Sequence, residues 1–291
     1  MSFHGLRGPH VRLIAKTHTK YSIRGGTGLV FALMALLTGL IIASIFVDPI
    51  NQAKQQADAP DDIAEQIIQQ VGRPAIKWAT DASDTQLDYW MDANPALITA
   101  FMLLFMMFLP FLVALGASNQ LSGDIGNRGI RYQLLRTERA NLFLGRMVGT
   151  YLFGLIIYLV LFLIVAIFFL VQLDFYSAGD TITWLTRGFL AVAVYSLPYV
   201  ALCAWISCAI DSAFGSLALT QLAIGFWPLL VNIGARQWEP FENAGYLMPW
   251  VYRSWLFDPS IGKTLAGIAV MLAFTALFTF LGLRHFEKRD L

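Results

Sequence analysis

The sequence predicts an all-α integral membrane protein with six transmembrane helices. Only 13% of the 291 residues are charged and 57% are hydrophobic, whereas about 25% of a typical soluble domain is charged. The charges collect in a few segments. The apolar stretches between them reach the roughly 20 residues that a helix needs to cross the hydrocarbon core. The six predicted spans are residues 27–47, 96–118, 147–173, 188–210, 213–234 and 264–283.

The fourth predicted span ends in a tight turn and carries both cysteines of the chain. Because only a short turn around Asp211 separates it from the fifth span, the two spans are predicted to form a helical hairpin. Cys203 and Cys208 lie inside the apolar stretch, where cysteine is typically a small buried hydrophobe rather than half of a disulfide.

The distribution of lysine and arginine predicts the orientation. If the N-terminus is cytoplasmic, 13 of the 20 Lys and Arg residues fall on the inner side, as the positive-inside rule requires. Six of the eight tryptophans then lie in or beside outer segments: Trp78, Trp90, Trp184, Trp238, Trp250 and Trp255. We therefore expect a multi-pass protein of the cell (inner) membrane with both termini in the cytoplasm.

The segment before the first span, residues 1–26, is predicted to form an amphipathic helix in the inner interface. At helical spacing, four basic residues share one face, which we call the basic ridge: Arg12, Lys16, Lys20 and Arg24. Such a face is typical of helices that lie on anionic lipid. The alternative is a positively charged flank that only fixes the topology.

Two outer segments are too long or too apolar to be simple loops. Residues 48–95, the outer cap, are rich in acidic residues, and Ile63, Ile67 and Val71 recur at helical spacing. We predict a small helical cap that is either solvated or binds an extracytoplasmic partner. Residues 235–263, the aromatic segment, mix aromatic residues with three prolines, which predicts short re-entrant helices in the outer leaflet.

The chemistry that is missing from the six predicted spans disfavours several function classes. The six predicted spans contain no Asp, Glu or His, whereas proton-coupled carriers and intramembrane hydrolases need ionisable groups there. The sequence has no G-x-x-x-x-G-K-[ST] loop to bind phosphates. A net charge of +1 gives no basis for nucleic-acid binding. We therefore predict neither an enzyme nor a metal protein, and no cofactor bound by this chain.

The cytoplasmic stretch between the second and third spans, residues 119–146, carries the most specific signal. Its order of features is Arg128-Gly129, Leu134-Leu135, Arg139 and Gly145-Arg146. This order resembles the permease subunits of type-2 ABC exporters, although the proline usual before the arginine is missing and the interval before Arg139 is about two residues shorter.

The resemblance implies a function and a set of partners. A cytoplasmic ATP-binding cassette ATPase would bind ATP and Mg²⁺, and a second permease copy, identical or related, would complete the complex. Together they would export a substrate or extract it from the membrane. The alternatives are a membrane scaffold or assembly protein that transports nothing, and a channel or facilitator.

A permease without its own motor has to present a firm inner surface to the ATPase. We call residues 119–146 the coupling segment, in which Asp124 and Arg128 are spaced to pair on a short helix. The charges predicted to dock the ATPase are Asp124, Arg128, Arg131, Arg136, Glu138 and Arg139. The alternative is a solvated loop whose arginines only fix the topology.

The fifth span carries polar and small residues on one face. They are Gln221, Gly225, Pro228 and Asn232. A face of this kind belongs inside a helix bundle. In the family that the sequence resembles, the second and fifth helices line the transport path, so these residues are candidates for it. Helix packing without any role in transport is the alternative.

The orientation can be tested by labelling single cysteines with a membrane-impermeant maleimide in intact cells and in opened vesicles. We expect Asp62→Cys to be labelled from the outside and Asn127→Cys only from the inside. Labelling of Asp62→Cys from the inside, or of Asn127→Cys from the outside, would reverse the topology.

Overall fold

The computed structural model describes residues 7–56, 73–80, 82–172 and 176–290. The described residues form helices and no strand. The α-helices are α1 Gly8–Arg24, α2 Gly26–Gln56, α3 Arg73–Thr80, α4 Asp84–Met91, α5 Ala96–Ala117, α6 Ser122–Gly126, α7 Ile130–Leu134, α8 Arg139–Gln172, α9 Ala178–Ala209, α10 Ala213–Gln237 and α11 Ile261–Lys288. Two 3₁₀ helices, η1 Glu239–Leu247 and η2 Pro249–Phe257, precede α11.

Six of these helices, α2, α5, α8, α9, α10 and α11, are long and apolar enough to cross a membrane. The predicted all-α class and the six spans are therefore confirmed. The predicted hairpin is also confirmed, because α9 and α10 pack on each other and only residues 210–212 separate them.

Helix α5 lies at the centre of the bundle. Phe101 and Phe105 on α5 each make an edge-to-face contact with Phe162 on α8, with ring centroids 6.2 Å apart. Helix α9 packs against α5, α8 and α11. By contrast, α8 and α10 expose large apolar side chains such as Leu163 and Leu222. Exposed apolar faces suit helices that contact lipid or another membrane helix.

Two spans begin well before the residue that the hydropathy pattern predicts. Helix α8 begins at Arg139 rather than at residue 147, and α9 begins at Ala178 rather than at residue 188. At the start of α9, the hydroxyl of Ser177 accepts a hydrogen bond from the amide of Asp180 (3.0 Å). Hydropathy identifies only the apolar part of a helix. The helix itself can extend into polar residues when a capping side chain accepts hydrogen bonds from the backbone amides at its start.

Helix α1 lies against the beginning of α8 at two glycines one turn apart. A Cβ atom on Gly145 would lie 2.6 Å from Cβ of Ile14, and one on Gly149 would lie 2.7 Å from the carbonyl oxygen of Ala15. The hydroxyl of Thr19 donates to the carbonyl of Gly149 (3.0 Å). The two glycines therefore allow close helix contact. The position of α1 relative to the bilayer stays a prediction.

The described part of the outer cap is attached to the end of the aromatic segment. The indole nitrogen of Trp90 on α4 donates to the carbonyl of Phe257 (2.9 Å), and Nε2 of Gln86 donates to the carboxylate of Asp258 (2.6 Å). The predicted helix with Ile63, Ile67 and Val71 lies outside the described residues.

The aromatic segment folds back along α10 and then returns to the start of α11. The indole nitrogen of Trp227 donates to the carbonyl of Ala244 (3.3 Å), about 15 Å before the end of α10 at the helical rise of 1.5 Å per residue. The ring of Tyr252 lies 6.1 Å from that of Phe274, about 20 Å into α11. The depth of this segment in a bilayer stays a prediction.

The contact between α1 and α8 can be tested with matched glycine substitutions. Gly149→Ala places a methyl group against the backbone of α1, so it should lower the free energy of unfolding by about 1–3 kcal/mol. Gly154→Ala is the control, because a Cβ there meets its nearest atom, Cε2 of Tyr158, at 3.6 Å. Thermal unfolding in detergent compares the two variants, and equal midpoints would contradict the close contact.

Candidate functional site

The coupling segment is anchored by a small apolar cluster at the end of the bundle where α8 begins and α11 ends. Leu121, Ile125 and Ile130 are buried there together with Phe143 on α8 and Phe286 on α11. The short helices α6 and α7 therefore lie on the bundle instead of extending into solvent.

Arg146 ties three parts of the coupling segment to α8. Its guanidinium donates to the carbonyl of Gln120, to the carboxylate of Asp124 and to Oε1 of Gln133, the last at 2.7 Å. Nε2 of Gln133 in turn donates to Oδ2 of Asp124 (3.1 Å). We call these four residues the Arg146 network. Bonds between a guanidinium and a carboxylate are among the strongest hydrogen bonds in proteins, so the network fixes the shape of the segment.

Helix α9 holds the start of α6. The hydroxyl oxygen of Ser207 accepts from the amides of Leu121 (2.8 Å) and Ser122 (2.9 Å), which belong to the unpaired donors at a helix N-terminus. At the other end of α6, Gly126 lies so close to the turn between α9 and α10 that a Cβ atom there would be 2.1 Å from the carbonyl oxygen of Asp211. The segment thus contacts the hairpin as well as α8.

Two of the predicted docking residues have other partners in the structure. The predicted pairing of Asp124 with Arg128 is wrong, because α6 ends at Gly126 and Asp124 pairs with Arg146. Arg139 donates to three carbonyls at the end of α11, those of Phe286 (3.0 Å), Glu287 (2.8 Å) and Arg289 (2.7 Å). Its cation therefore stabilises the C-terminus of a helix.

The remaining docking candidates, Arg128, Arg131, Arg136 and Glu138, are exposed. Within the described part of the chain, none of the four forms an ion pair or a side-chain hydrogen bond. Arg128 has φ 58°, a left-handed conformation that costs about 1–2 kcal/mol for a residue other than glycine. Such residues cluster at functional sites, which favours a role for the tip of this segment.

Four residues that shape the segment were not among the sequence candidates: Arg146, Gln133, Gln120 and Ser207. The pair Gly145-Arg146 was part of the motif, and a cation at the start of an apolar helix is a usable signal for a buried ion pair. A lone serine such as Ser207 inside an apolar stretch carries no comparable signal.

An open groove separates α1 from the coupling segment. Its volume is about 840 Å³. Its walls include Leu13, Thr17 and Tyr21 on α1 and Asn119, Asn127 and Gln133 on the coupling segment. A second opening of about 730 Å³ beside it is lined by Arg131, Arg136 and Glu138. Leu13 and Tyr21 are 64% and 74% exposed, so the groove combines an apolar wall with a charged end.

The basic ridge on α1 is exposed along its whole length. Arg12, Lys16, Lys20 and Arg24 form no ion pair within the described chain, while the opposite face of α1 contacts α8 through Ala15. The ridge is available to an anionic surface.

The path candidates on α10 divide into two groups. Nε2 of Gln221 donates to the carbonyl of Phe111 on α5 (3.2 Å), and Gly225 lies against the same phenyl ring. These contacts agree with helix packing. Pro228 lines a cavity between helices, and Asn232 is exposed. A role of these residues in transport stays a prediction.

The structure gives no site for a catalytic metal in the residues that it describes. Within residues 7–56, 73–80, 82–172 and 176–290, no three His, Cys, Asp or Glu side chains are placed to hold a metal ion.

Comparison with known proteins identifies a family. A family model described as ABC-2 family transporter protein matches residues 12–291, nearly the whole chain. A search of curated proteins finds no match.

His18 lies in the groove next to the Arg146 network. Its Nε2 is 3.1 Å from the hydroxyl of Thr150 on α8. Burial and then the Arg146 cation lower the pKa of His18 to about 4, and Asp124 acts in the opposite direction. Neutral His18 is therefore part of the contact between α1 and α8.

This pKa predicts a loss of stability in mild acid. Between pH 6.5 and pH 4 the unfolded chain binds a proton at His18 that the folded chain does not, so stability falls as the pH falls. The loss reaches up to about 2 kcal/mol at pH 5. His18→Gln should remove it, whereas exposed His285→Gln should not. Denaturant unfolding at pH 7 and pH 5 measures the effect, and an unchanged pH dependence in His18→Gln would contradict it.

Proposed function

Because the chain belongs to the ABC-2 family of transporter permeases, we propose that it is the membrane subunit of an ATP-driven exporter. One observation carries the coupling role. The coupling segment is held by the Arg146 network while Arg128, Arg131, Arg136 and Glu138 point outward without internal partners in the described chain. A rigid segment with unpaired surface charges gives a separate ATPase a surface on which to dock.

The partner that the coupling segment would dock is a cytoplasmic ATP-binding cassette ATPase. The sequence has no phosphate-binding loop of its own, so ATP and Mg²⁺ would be bound by that partner and this chain would not be an enzyme. The open groove beside α1 offers apolar contact through Leu13 and Tyr21. The neighbouring Arg131, Arg136 and Glu138 offer charge complementarity.

A movement of the coupling segment would be transmitted to the spans through hydrogen bonds. The hydroxyl of Ser207 on α9 holds the amide of Leu121. The hydroxyl of Ser216 on α10 donates to the carbonyl of Ser118 just before the coupling segment (2.6 Å). Arg146 connects the segment to α8. A displacement of the coupling segment would therefore move three spans, α8, α9 and α10.

A second permease copy, identical or related, would pack on the outward face of α10. Phe226 and Leu229 on α10 are 53% and 58% exposed, and Phe108 and Phe111 on α5 are 42% and 38% exposed. The path would then run between the copies, beside Gln221, Gly225, Pro228 and Asn232. Substrates would be exported or extracted from the membrane along it.

The remaining surfaces support a placement in the cell membrane with both termini inside. The exposed basic ridge of Arg12, Lys16, Lys20 and Arg24 fits the anionic inner leaflet, and the outer cap is available to an extracytoplasmic partner. Family membership favours transport over a scaffold. The exposed charges of the coupling segment favour an ATP-driven permease over a channel or facilitator.

The docking role can be tested by charge reversal. Arg128→Glu and Glu138→Lys should each weaken ATPase association and stimulated ATP hydrolysis without affecting membrane insertion. Arg128→Gly should raise the free energy of unfolding by about 1 kcal/mol, because it relieves the left-handed strain, and still weaken docking. Arg284→Glu, an exposed inner position outside the segment, is the control. Normal ATPase co-purification with all three variants would exclude this docking site.

The path role can be separated from packing by substituting Gln221→Leu and Asn232→Leu. If the residues line the path, transport per assembled complex should fall while assembly is retained. If they only bridge helices, assembly should fall instead, with a loss per hydrogen bond of about 0.6 kcal/mol. The rate of transport divided by the amount of recovered complex distinguishes the two roles. If this ratio is unchanged in both variants, neither residue lines the path.

A further inference from the structure

Two arginines connect the start of α8, the end of α11 and the turn between α9 and α10. Arg139 donates to three carbonyls at the end of α11, and the last of them is the carbonyl of Arg289 (2.7 Å). The guanidinium of Arg289 in turn donates to the carbonyl of Cys208 and to the carboxylate of Asp211. We call Arg139, Arg289 and Asp211 the α11 clasp.

The clasp supplies donors that the helix ends lack. The last four carbonyls of an α-helix have no partner within the helix, and a cation near them interacts favourably with the helix dipole. Helix α9 ends at Ala209, so the carbonyl of Cys208 is one of these four. Arg289 therefore binds the end of α9 with one nitrogen and the turn that follows with the other. Its side chain is only 17% exposed.

The turn that Arg289 holds lies directly against α6. A Cβ atom on Gly126 would be 2.1 Å from the carbonyl oxygen of Asp211, so α6 and the turn are in backbone contact. The turn has only three residues, 210–212. Its last residue, Ser212, caps α10 by accepting a hydrogen bond from the amide of Gly215 (3.2 Å). A displacement of this turn therefore acts on α9 and α10 together.

Helix α8 holds both sides of this contact. Arg146 binds the coupling segment through Asp124. Arg139, about two turns earlier on the same helix, binds the turn through the backbone of Arg289. Ser207 already fixes the start of α6 to α9, and the clasp adds a tie at the other end of α6. Without the clasp, the turn could yield while the coupling segment stays bound to α8.

We propose that Arg289 is a positioning residue for coupling. It holds the turn between α9 and α10 against α6, so that a displacement of the coupling segment moves both helices instead of being absorbed at the turn. The inference rests on the proposed function for the source of the displacement, a docked ATPase. Arg289 acts through Asp211 and does not itself dock the ATPase.

The structural part is tested by amide hydrogen exchange of the full-length protein in lipid nanodiscs. Arg289→Gln removes the cation. Asp211→Ala removes the carboxylate from a side chain that is 68% exposed, so this second variant keeps the test valid if the first one misfolds. Exchange of the amides that flank the turn, at positions 208–209 and 215–216, should rise about 2- to 12-fold, the effect of one net hydrogen bond. Unchanged exchange in both variants would overturn the clasp.

The functional part is tested by titrating the permease with the ATP-binding cassette ATPase that co-purifies with the parent protein. Arg289→Gln should lower the maximal stimulation of ATP hydrolysis but not change the ATPase concentration at half-maximal stimulation, because the docking charges remain in place. Arg289→Lys keeps a cation and should recover part of the maximum. An unchanged maximum in Arg289→Gln would overturn the positioning role. A raised half-maximal concentration would also overturn it, because Arg289 would then be a docking residue.

Lys288→Gln is the matched control. It removes the same charge from the neighbouring residue, which is exposed and forms no ion pair or side-chain hydrogen bond among the residues that the structure describes. It should match the parent protein in both measurements, and an equal loss would assign the effect to net charge and overturn the inference. A parent protein that stimulates no ATPase would refute the proposed function, and the exchange measurement would then decide the clasp alone.

Discussion

The end of the bundle that carries the coupling segment depends on one buried cation. Arg146 is 8% exposed, and a buried charge is tolerated only when it is paired and hydrogen-bonded. Asp124 supplies the counter-charge, and Gln120 and Gln133 supply acceptors. Because these partners lie at separate points of the coupling segment, satisfying the cation forces the segment to fold over the start of α8. Such a pair adds little net stability, because the cost of removing both charges from water offsets their attraction.

Gly145, the residue before Arg146, allows α1 to approach α8. Gly145 leaves room for Ile14 of α1, so two adjacent residues place both the coupling segment and α1 against α8. His18 and Thr150 add a polar contact on the same face of α1. The groove between α1 and the segment is thus bounded on both sides by elements that α8 positions.

The opposite end of the bundle is held by a different set of bonds, centred on Asp258. Its carboxylate accepts from Gln86 of the outer cap and pairs with Lys263 of α11 (2.9 Å), while its carbonyl accepts from Arg187 of α9 (3.0 Å). Both ends of the bundle are therefore tied to several spans. Helix α10 has fewer such ties and exposes large apolar side chains such as Leu222 and Phe226.

Hydropathy was sufficient to predict the six spans and the hairpin, because both depend on the length of local apolar runs. It did not predict the partner of Asp124, which lies 22 residues away at Arg146, because the nearer candidate Arg128 is lost when α6 ends at Gly126. Nor did it show that Arg139 binds the carbonyls at the end of α11, a contact between distant parts of the chain. The charges of the coupling segment can be read from the sequence, but their partners depend on tertiary structure, and their docking role stays a prediction.

We propose that the Arg146 network couples the docked ATPase to the spans. A double-mutant cycle with Asp124→Asn, Arg146→Gln and the double variant tests it, with permease-stimulated ATP hydrolysis per assembled complex as the measurement. The account predicts that each single change lowers the stimulation and that the double variant is no worse than the weaker single variant, with a coupling energy of about 0.5–3 kcal/mol. Independent losses that multiply in the double variant would contradict it.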